Sequence, residues 1–405
     1  MPSRVLRHCM VVDNHYPDIR VEREANALIE RGHRVDIICL RTPGTSRVER
    51  IGRLTIYRLP VSRRRGASAV TQLWEYTAFL AWATAMVTLR HLKAPYDVVQ
   101  VHNVPDFLVL SAGFAKATGA AVLLDLHDLM PEFFASRFGG DLRGPLARLV
   151  LLQERAAIGF ADAVVTVTDL WRDALVARGV PADKAHVVMN VPDERRFPIR
   201  EPLTRSDGPV TVVYHGTLTR RYGLDILLRA FAEARARHPM RLLIHGRGEF
   251  ADDARRLAND LGLGDAVTFS DALLTTDELA ALIGQGDIGV VPNRNDILTD
   301  GILPTKLMEY AALGIPGIVS RSTAVASYFT DDMVRFVEPG SSDDLADALV
   351  ELAANPEERA ALARNAQRFS REHRWSDQAA AYVDLVERLA DARSAKSGNG
   401  RETRT

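Results

Sequence analysis

The segment DGILPTKLMEYAALGIPGIVS, residues 300–320, places a lysine at the start of a helical pattern and a carboxylate one turn further on. Lys306 is one of only five lysines in a chain with 46 arginines. Pro304 can begin the helix with Thr305 as its cap, and a helix N-terminus attracts anions. Glu309 can accept two hydrogen bonds from a vicinal diol such as ribose. Together these features predict a nucleotide site, with chance placement of the lysine as the alternative.

Glycines follow two further apolar runs. Gly216 lies in YHGTLTRRYGLD, and Gly246 and Gly248 lie in IHGRGE. Each glycine comes after a predicted strand and before a predicted helix, where backbone N–H groups can approach a phosphate closely. The alternative is a pair of tight strand-to-helix turns that bind no ligand.

Alternating strand and helix patterns must position these residues. The first half runs from RHCMVVDN to AHVVMN, and the second from VTVVYHG to MVRFVEP, with a proline-rich and highly charged segment between them. Such alternation predicts parallel sheets covered by helices. We therefore expect an α/β protein with two doubly wound, Rossmann-like domains that face each other across a cleft, where ligands bind beyond the carboxyl ends of the strands.

The pattern also suggests domain limits. The expected segments are an N-terminal domain (1–191), a linker (192–209), a C-terminal domain (210–370), a helix that packs back on the N-terminal domain (371–392) and a disordered tail (393–405).

Composition narrows the class of protein. The chain is 47% hydrophobic and 25% charged, as in ordinary globular proteins. Its formal net charge of -1 offers no basic excess for nucleic acid. Cys9 and Cys39 lie in apolar runs, so we expect free thiols and a cytoplasmic protein. The spacing of metal-binding residue types predicts neither a metal nor a cofactor.

One apolar stretch, residues 66–95, allows two interpretations. It contains Trp74 and Trp82 and follows three arginines at 63–65. Its neutral part is shorter than the roughly 20 residues of a membrane span. It is either a helix buried in its own domain or an interfacial helix that contacts the inner face of an anionic membrane.

Several of these motifs, in this order and spacing, resemble the retaining glycosyltransferases of family 4, which have the GT-B fold. The resemblance rests on HGTLTRRYGLDILLRAF, IHGRGE, VTFSDALLTTDELAALIGQGDIGVVPN and LPTKLMEYAALGIPGIVS, together with EREANALIERGHRVDIICL and LLDLHDLMPE in the first half. It implies that the C-terminal domain binds a nucleotide-diphosphate sugar and the N-terminal domain binds the acceptor.

The resemblance also assigns roles to residues of the donor site. Glu309 is the second acid of the family's paired glutamates and would hold the ribose, with Thr305 and Lys306 facing the sugar or diphosphate. The family's phosphate-binding arginine and lysine fall on Thr217 and Tyr222, so we expect Arg220 and Arg221 to replace them, or to be solvated loop residues.

The first acid of the glutamate pair falls on Gly301, with Asp300 beside it. Recognition of the donor sugar would therefore depend on backbone N–H groups or on Asp300.

The N-terminal half supplies the other expected contacts. His127 matches the histidine that the family directs at the donor sugar, with a buried structural histidine as the alternative. Asp128 and Glu132 would contact the acceptor or cap a helix. In the first loop, Asp18 and Arg20 replace the family's glycines; Arg20 would bind a phosphate or an anionic acceptor, or pair with Asp18 or Glu24.

The expected reaction is metal-independent transfer of a sugar, with retention of configuration, to a hydroxyl acceptor in polysaccharide or glycoconjugate assembly, where the acceptor could be lipid-linked. Two alternatives stay open: a nucleotide-sugar epimerase on the same fold, and a non-catalytic subunit that binds a nucleotide sugar or a partner transferase. Loss of the first glutamate favours the second alternative.

Overall fold

In the computed structural model, which describes residues 4–63, 69–138, 144–202 and 208–402, the chain forms two compact units. The N-terminal unit comprises Met1–Met189 and the returning segment Asp377–Thr405, and the C-terminal unit comprises Asn190–Ser376. The chain thus passes between the units twice, and the first passage lies just before the expected linker.

The N-terminal unit is built from eight strands with intervening helices. Its elements are β1 (Arg7–His15), α1 (Ile19–Glu30), β2 (Arg34–Leu40), β3 (Val48–Ile51), β4 (Leu54–Leu59), α2 (Ala69–Lys93), β5 (Val98–His102), α3 (Gly113–Ala117), β6 (Ala121–Leu126), α4 (Met130–Phe138), α5 (Pro145–Phe160), β7 (Ala163–Thr166), α6 (Asp169–Ala177) and β8 (Ala185–Val187), with a 3₁₀ helix over Asp106–Ala112.

The strands of this unit lie in the order β3-β4-β2-β1-β5-β6-β7-β8. Every pairing is parallel except that of β3 with β4, a hairpin that the motif pattern does not predict. The order reverses between β1 and β5. In doubly wound sheets, the carboxyl ends of the strands at such a reversal are the usual ligand site.

The C-terminal unit repeats the plan with six parallel strands in the order β11-β10-β9-β12-β13-β14. Its elements are β9 (Val210–His215), α7 (Leu224–Arg237), β10 (Met240–His245), α8 (Ala251–Asp260), β11 (Val267–Ser270), α9 (Thr276–Ile283), β12 (Ile288–Val291), α10 (Thr305–Ala312), β13 (Gly317–Ser320), α11 (Thr323–Tyr328), β14 (Arg335–Val337), α12 (Ser342–Ala354) and α13 (Pro356–Glu372).

The core of the C-terminal unit follows from its apolar strands. All four residues of β12 and of β13 are buried, as expected for strands covered on both faces. Helices α7 and α12 pack together, and Leu227, Phe231 and Leu349 join the strand residues in one buried cluster. The sheet therefore presents its polar residues at the strand ends.

The last helix, α14 (Trp375–Glu402), carries the chain back to the N-terminal unit. Tyr382 and Val386 are fully buried. The imidazole of His33 contacts Glu387 at 3.0 Å, and Gln378 accepts from the Met189 N–H at 2.9 Å. The helix extends into the segment expected to be a disordered tail, because a helix that is already formed gains one hydrogen bond for each residue added.

The described part of the expected linker packs on the C-terminal unit. Arg200 donates its N–H to Ala312 O at 3.1 Å, and its own carbonyl accepts from Gln367 at 2.6 Å. Residues 203–207, in the second half of the expected linker, lie outside the described residues.

Helix α2 covers most of the apolar stretch that allowed two interpretations. Phe79, Ala83 and Val87 on one face are buried, whereas Trp74 and Trp82 are at least half exposed. Across the described ranges, no helix combines the length and the apolar character that crossing a membrane requires.

Candidate functional site

Lys306 lies in the first turn of α10, beside the loop that follows β9. Only 9% of its surface is exposed, and its Nζ lies 4.2 Å from the centre of the Tyr214 ring and 5.1 Å from that of Tyr222. Among the residues that the structure describes, this Nζ has no hydrogen-bond partner. Burial lowers the pKa of Lys306 to about 8, although nearby Glu309 opposes the shift. A buried ammonium in this state is stabilised by an incoming anion.

Glu309 lies one turn further along α10 and has a partner that the sequence pattern did not identify. His215, the last residue of β9, brings its Nε2 to 2.5 Å from Glu309 Oε2. The other ring nitrogen, Nδ1, lies 3.1 Å from the Tyr310 hydroxyl, which donates to Val213 O at 3.2 Å. A carboxylate only accepts, so His215 Nε2 faces it as a donor. Glu309 is therefore fixed in direction and retains lone pairs for a diol.

Glycine is required in the loops after β9 and β10 because these loops touch each other. A Cβ on Gly246 would lie 1.9 Å from Gly216 O, and one on Gly248 would lie 2.1 Å from Leu218 O. The N–H of Gly216 donates to His245 O at 3.0 Å, and that of Gly246 donates to Ser270 O at 2.8 Å. The Gly216 N–H thus joins its loop to the end of β10, and the Gly246 N–H joins its loop to the end of β11, which supports the tight-turn interpretation for these two glycines.

Gly216 also lies next to the lysine. A Cβ at Gly216 would lie 3.6 Å from Lys306 Nζ, which is ordinary van der Waals contact. The ammonium thus lies directly beside the backbone that follows β9, where a phosphate held by this loop would meet it.

Arg220 and Arg221 occupy a 3₁₀ turn, Arg220–Tyr222, in front of α7. Their Nε atoms are 3.9 Å from Asp225 and 3.8 Å from Asp296, beyond hydrogen-bond distance. Ion pairs this long, near the protein surface, contribute little free energy, so a bound phosphate can compete with the aspartate for either guanidinium.

Arg294 supports the same turn from behind. Its Nη2 donates to Asp225 at 2.6 Å, and its backbone N–H donates to Arg221 O at 3.0 Å. Gly223, with φ 69°, ends the turn where a Cβ would lie 1.8 Å from Pro292 O. Arg220 is therefore an exposed side chain and Arg221 a partly buried one, on a turn that backbone hydrogen bonds and Gly223 hold in place.

Asp300 and Thr305 have different roles from those expected. Asp300 Oδ1 accepts from the Thr323 N–H at 2.8 Å and from Asn295 at 3.2 Å, so it fixes the segment before α10 to the start of α11. Burial tends to raise the pKa of Asp300, but these bonds hold it below its ordinary value. Thr305 is exposed and is the first residue of the helix. The N-cap is Pro304, whose side chain has no hydrogen-bonding group, so no side chain caps α10. Gly301 ends the short 3₁₀ turn Thr299–Gly301.

In the N-terminal unit, His127 follows β6 and belongs to a buried polar cluster. Its Nε2 lies 3.3 Å from Asp125 Oδ2 and 3.1 Å from His102 Nδ1, and His102 Nδ1 lies 3.1 Å from the same carboxylate oxygen. Burial opposes protonation of His127, yet the charge of Asp125 and the hydrogen bond to it raise its pKa above the ordinary value. A quarter of the side chain stays exposed, so the ring can reach a ligand while Asp125 orients it.

Arg20 is a buried ion-pair residue and does not face an acceptor. Only 5% of it is exposed, and its Nε and Nη2 donate to the two oxygens of Asp125, each at 3.0 Å. Its Nη1 donates to Val188 O at 2.9 Å, and Nη2 lies 3.1 Å from Glu24. Burial alone would raise the pKa of Asp125, but Arg20 holds it well below its usual range. Of the two expected roles, the ion pair with Glu24 is the one observed.

The remaining acceptor candidates are used within the unit. Asp18 caps α1 by accepting from the N–H groups of Arg20 at 3.1 Å and Val21 at 3.3 Å. Glu132 forms an ion pair with Arg178. The backbone carbonyl of Asp128 accepts a hydrogen bond from Asn103 Nδ2 at 2.5 Å. The side chains of Asp18 and Glu132 thus have partners inside the unit, whereas for Asp128 the observed contact is made by its backbone carbonyl.

His102, Asp125 and His127 offer three ligand-type atoms within 4.8 Å of one another. Such spacing could suit a metal ion, but the Arg20 guanidinium binds both oxygens of Asp125. A fixed positive charge at this distance opposes a divalent cation, and hydrogen bonds explain the spacing without one.

Comparisons with known proteins complete the description. Residues 17–191 match the family profile described as "Glycosyl transferase 4-like domain", and residues 195–369 match "Glycosyl transferases group 1". The chain belongs to the family 4 glycosyltransferases. As a family 4 enzyme, it transfers a sugar from a nucleotide sugar to an acceptor.

Named relatives of this family 4 enzyme include a GDP-mannose-dependent alpha-(1-6)-phosphatidylinositol monomannoside mannosyltransferase of Mycolicibacterium smegmatis. That protein is 29% identical over 67% of this chain and 80% of its own length. A 2-deoxystreptamine glucosyltransferase of Streptomyces kanamyceticus is 27% identical over 84% and 92%. The relatives are named as transferases, which favours neither the epimerase nor the non-catalytic alternative.

Solved structures establish the fold as GT-B. Sucrose-phosphate synthase from Thermosynechococcus elongatus matches 95% of this chain and 100% of its own with a TM-score of 0.74 at 19% identity. HepE of Anabaena, solved with UDP and glucose, matches 94% and 99% with a TM-score of 0.66 at 14% identity. At these identities the likeness concerns the fold alone.

Sequence reasoning found the lysine and the acid of the family 4 donor half but missed the residues that orient them. His215 stands at a strand's carboxyl end, as His127 stands just after one, and the same positional argument could have found it. Asp125 and Gln100 are buried residues within strands, and their role depends on contacts across the sheet.

Proposed function

We propose that this family 4 enzyme transfers a sugar from a nucleotide-diphosphate sugar to a hydroxyl acceptor with retention of configuration and without a metal ion. The observation that carries the proposal is Lys306, a buried ammonium with no hydrogen-bond partner in the described structure, beside Gly216 and one turn from Glu309. Diphosphate and ribose are the ligand groups that match this cation and this acid.

The reaction follows from where charge develops. The acceptor oxygen bonds to the anomeric carbon on the face from which the diphosphate departs. The bond between that carbon and the diphosphate oxygen breaks, and a diphosphate oxygen takes the acceptor proton. Lys306, Arg221 and Arg220 would neutralise the departing diphosphate. His127 would hold the donor sugar by a hydrogen bond.

Glu309 would hold the ribose hydroxyls, in a direction set by His215. Gly301 replaces the first acid of the family pair and Asp300 is occupied by Thr323, so the sugar hydroxyls would be met by backbone N–H groups near Thr305. The GDP-mannose dependence of the mycobacterial relatives makes GDP the first nucleotide to test.

A thermal-shift screen against UDP, GDP, ADP and TDP and their sugars tests the donor site. One of these nucleotides should raise the melting temperature of the wild type, and Glu309→Ala should abolish most of that rise. Glu278→Ala is the matched control, since Glu278 is an exposed capping acid of α9 in the same unit. If no nucleotide stabilises the wild type, the donor-site assignment is wrong.

We also propose that the acceptor is lipid-linked and that α2 rests on the inner face of a membrane. Helix α2 exposes Leu73, Trp74 and Trp82, while its one acidic residue, Glu75, is buried. Arg63, one of the three arginines expected to meet lipid, pairs with Asp13; Arg64 and Arg65 lie outside the described residues. The features of α2 that favour membrane contact are therefore mainly apolar side chains, with Lys93 as the exposed charge at the end of the helix.

Helix α5 adds to this support. Leu146, Leu149 and Leu152 are more than half exposed. Arg148 and Arg155 are exposed on the same helix, and its acid, Glu154, is buried against Arg178. Exposed leucines with arginines and no exposed acid on this helix fit an anionic lipid surface.

Sedimentation with vesicles tests the proposed contact of α2 with a membrane. Wild type should bind vesicles that contain phosphatidylglycerol more strongly than those of phosphatidylcholine, and a Leu73→Ser/Trp74→Ser double variant should lose most binding. Leu273→Ser, at a leucine of the C-terminal unit that is 85% exposed, is the control. Equal binding by wild type and the double variant would count against the α2 surface.

Product analysis separates transfer from the epimerase alternative. Transfer requires donor and acceptor together, whereas an epimerase forms product from the donor alone. Tight nucleotide binding without turnover in any acceptor extract would favour the non-catalytic subunit.

A further inference from the structure

The polar cluster around His127 continues through the interior of the N-terminal unit to its last helix. Gln100 in β5 lies at its centre and is fully buried. Its Oε1 accepts from the Tyr382 hydroxyl at 2.5 Å and lies 3.1 Å from His8 Nε2. Its Nε2 donates to Glu24 at 2.6 Å and lies 3.3 Å from Asp125. The orientation of one amide thus depends on α14 and determines a contact with α1.

The charges of this cluster balance only when an imidazole is counted. Glu24 and Asp125 are fully buried acids, and Arg20 is the one buried guanidinium that contacts both. Oε2 of Glu24 accepts from Gln100 at 2.6 Å, and Oε1 lies 3.1 Å from the Arg20 guanidinium without a hydrogen bond among the described residues. A guanidinium this close favours the ionised carboxylate. The two carboxylates and the one guanidinium leave a net charge of about -1, which a protonated His127 would neutralise.

Every element packed around His127 contributes to this balance. Asp125 comes from β6, His102 from β5, Arg20 and Glu24 from α1, His8 from β1 and Tyr382 from α14. Burial lowers the pKa of His8 to about 3, so that ring is neutral. Burial raises the pKa of Glu24 above its ordinary value, and the Arg20 charge opposes that shift.

We propose that Glu24 and Tyr382 are positioning residues for His127: Glu24 supplies the second buried negative charge that keeps the imidazole protonated, and Tyr382 locks the Gln100 amide that holds Glu24. The consequence for catalysis rests on the proposed function, in which His127 contacts the donor sugar. A protonated ring directs an N–H donor at Asp125 and can direct its other N–H at a sugar hydroxyl.

The role of Tyr382 follows from the two ends of the amide. With the tyrosine hydroxyl and His8 both directed at Oε1, only Nε2 can face Glu24. Loss of the hydroxyl removes one of these two constraints, so the amide can rotate and present its oxygen to the carboxylate. That arrangement repels the ionised form of Glu24 and weakens its support of His127.

Histidine titration by NMR tests the proposal on the ligand-free full chain, with the His127 resonance assigned by comparison with His127→Asn. In Glu24→Gln, the midpoint of the His127 titration should fall by about one pH unit, because the balancing charge is gone while the shape is kept. Glu24→Asp should restore most of the wild-type midpoint. Glu22→Gln, a change in the same helix, should leave it unmoved.

Tyr382→Phe should lower the same midpoint by a few tenths of a pH unit. Tyr96→Phe is its control, because Tyr96 is also buried and donates to a carboxylate, that of Asp36 at 2.7 Å, outside the cluster. Circular dichroism and melting curves identify any variant that fails to fold. If Tyr382→Phe fails, Glu24→Gln and Glu24→Asp decide the proposal.

The possible outcomes distinguish the positioning of His127 by Glu24 and Tyr382 from the role of His127 in the proposed sugar transfer. A His127 midpoint unchanged in both Glu24→Gln and Tyr382→Phe overturns the proposal. A midpoint that falls as expected while turnover of GDP-mannose or another donor stays at the wild-type value supports the network and removes His127 protonation from the proposed reaction.

Discussion

Arg20 and Lys306 are both buried cations in the first turn of a helix. Both were predicted to bind an anionic ligand, with an ion pair inside the fold as the alternative for Arg20. Arg20 is bonded to Asp125, Glu24 and Val188 inside the N-terminal unit. Lys306 has two aromatic rings beside it and, within the described chain, no hydrogen-bond partner. Arg20 is therefore satisfied by partners within the fold, whereas the Lys306 ammonium is buried without one in the described structure.

The difference shows how to distinguish a structural cation from a binding one. Burial of a charge costs free energy, which paired acids offset at Arg20. At Lys306 that cost remains in the ligand-free protein and is relieved when an anion binds. Removal of the two charges should therefore change the free energy of unfolding in opposite directions, which the following variants examine.

Arg20→Met should have the largest effect. It leaves Asp125 and Glu24 as buried acids without their guanidinium, and we expect the free energy of unfolding to fall by about 3–5 kcal/mol. Urea unfolding at pH 7 measures the change. Arg196→Met, in an exposed pair with Asp277, should change the value by less than about 0.5 kcal/mol. A mild loss at Arg20 would mean that this ion pair does not hold the unit together.

Lys306→Met should lower kcat/KM by about 10²–10³-fold, since it removes a charge that meets the departing diphosphate. The free energy of unfolding without ligand should stay the same or rise. A clear fall in ligand-free stability would instead make Lys306 a structural residue like Arg20.

The pH dependence of stability gives a second measure of Lys306. Its pKa is about 8 in the folded chain against 10.5 ordinarily, so the unfolded chain binds more protons between these values. The free energy of unfolding should therefore gain, from this residue, on the order of 2–3 kcal/mol as the pH rises from 8 to 10.5. Unfolding curves at pH 7.5 and 9.5 should show this gain in wild type, and Lys306→Met should lose it.

His215→Asn should weaken nucleotide binding by about tenfold, because the acid remains but one charge-assisted hydrogen bond that orients it is lost. Calorimetry with the nucleotide found in the thermal-shift screen measures the affinity. His238→Asn, at a partly exposed histidine of the same unit, is the control. Unchanged affinity would show that Glu309 does not need His215.

Asp18→Ala should have the smallest effect, a loss of about 1 kcal/mol of stability, because an N-cap of α1 is removed. If Asp18 also bound an acceptor, the variant would lose turnover far beyond this change in stability. Steady-state kinetics beside a melting curve separates the two outcomes.

The strand and helix patterns predicted the repeated α/β plan and the placing of Lys306 and Glu309 on one helix, because such patterns are encoded within a few residues. The GT-B fold was implied by the resemblance to family 4. The sequence did not predict that Arg20 would be buried, since its partner Asp125 is 105 residues away in sequence. For the same reason it did not predict that Gly246 lies so close to Gly216 that a Cβ there would be 1.9 Å from Gly216 O.

By itself, the sequence determined which side chains are present at the strand ends and helix starts, and from these the family and the class of ligand. Only the tertiary structure decided which charges are already paired. Pairing depends on contacts between elements that are distant in sequence, such as Tyr382 with Gln100, or Glu309 with His215. Short-range patterns carry no information about such distances, and so Arg20 and Lys306 became distinguishable only once the chain was folded.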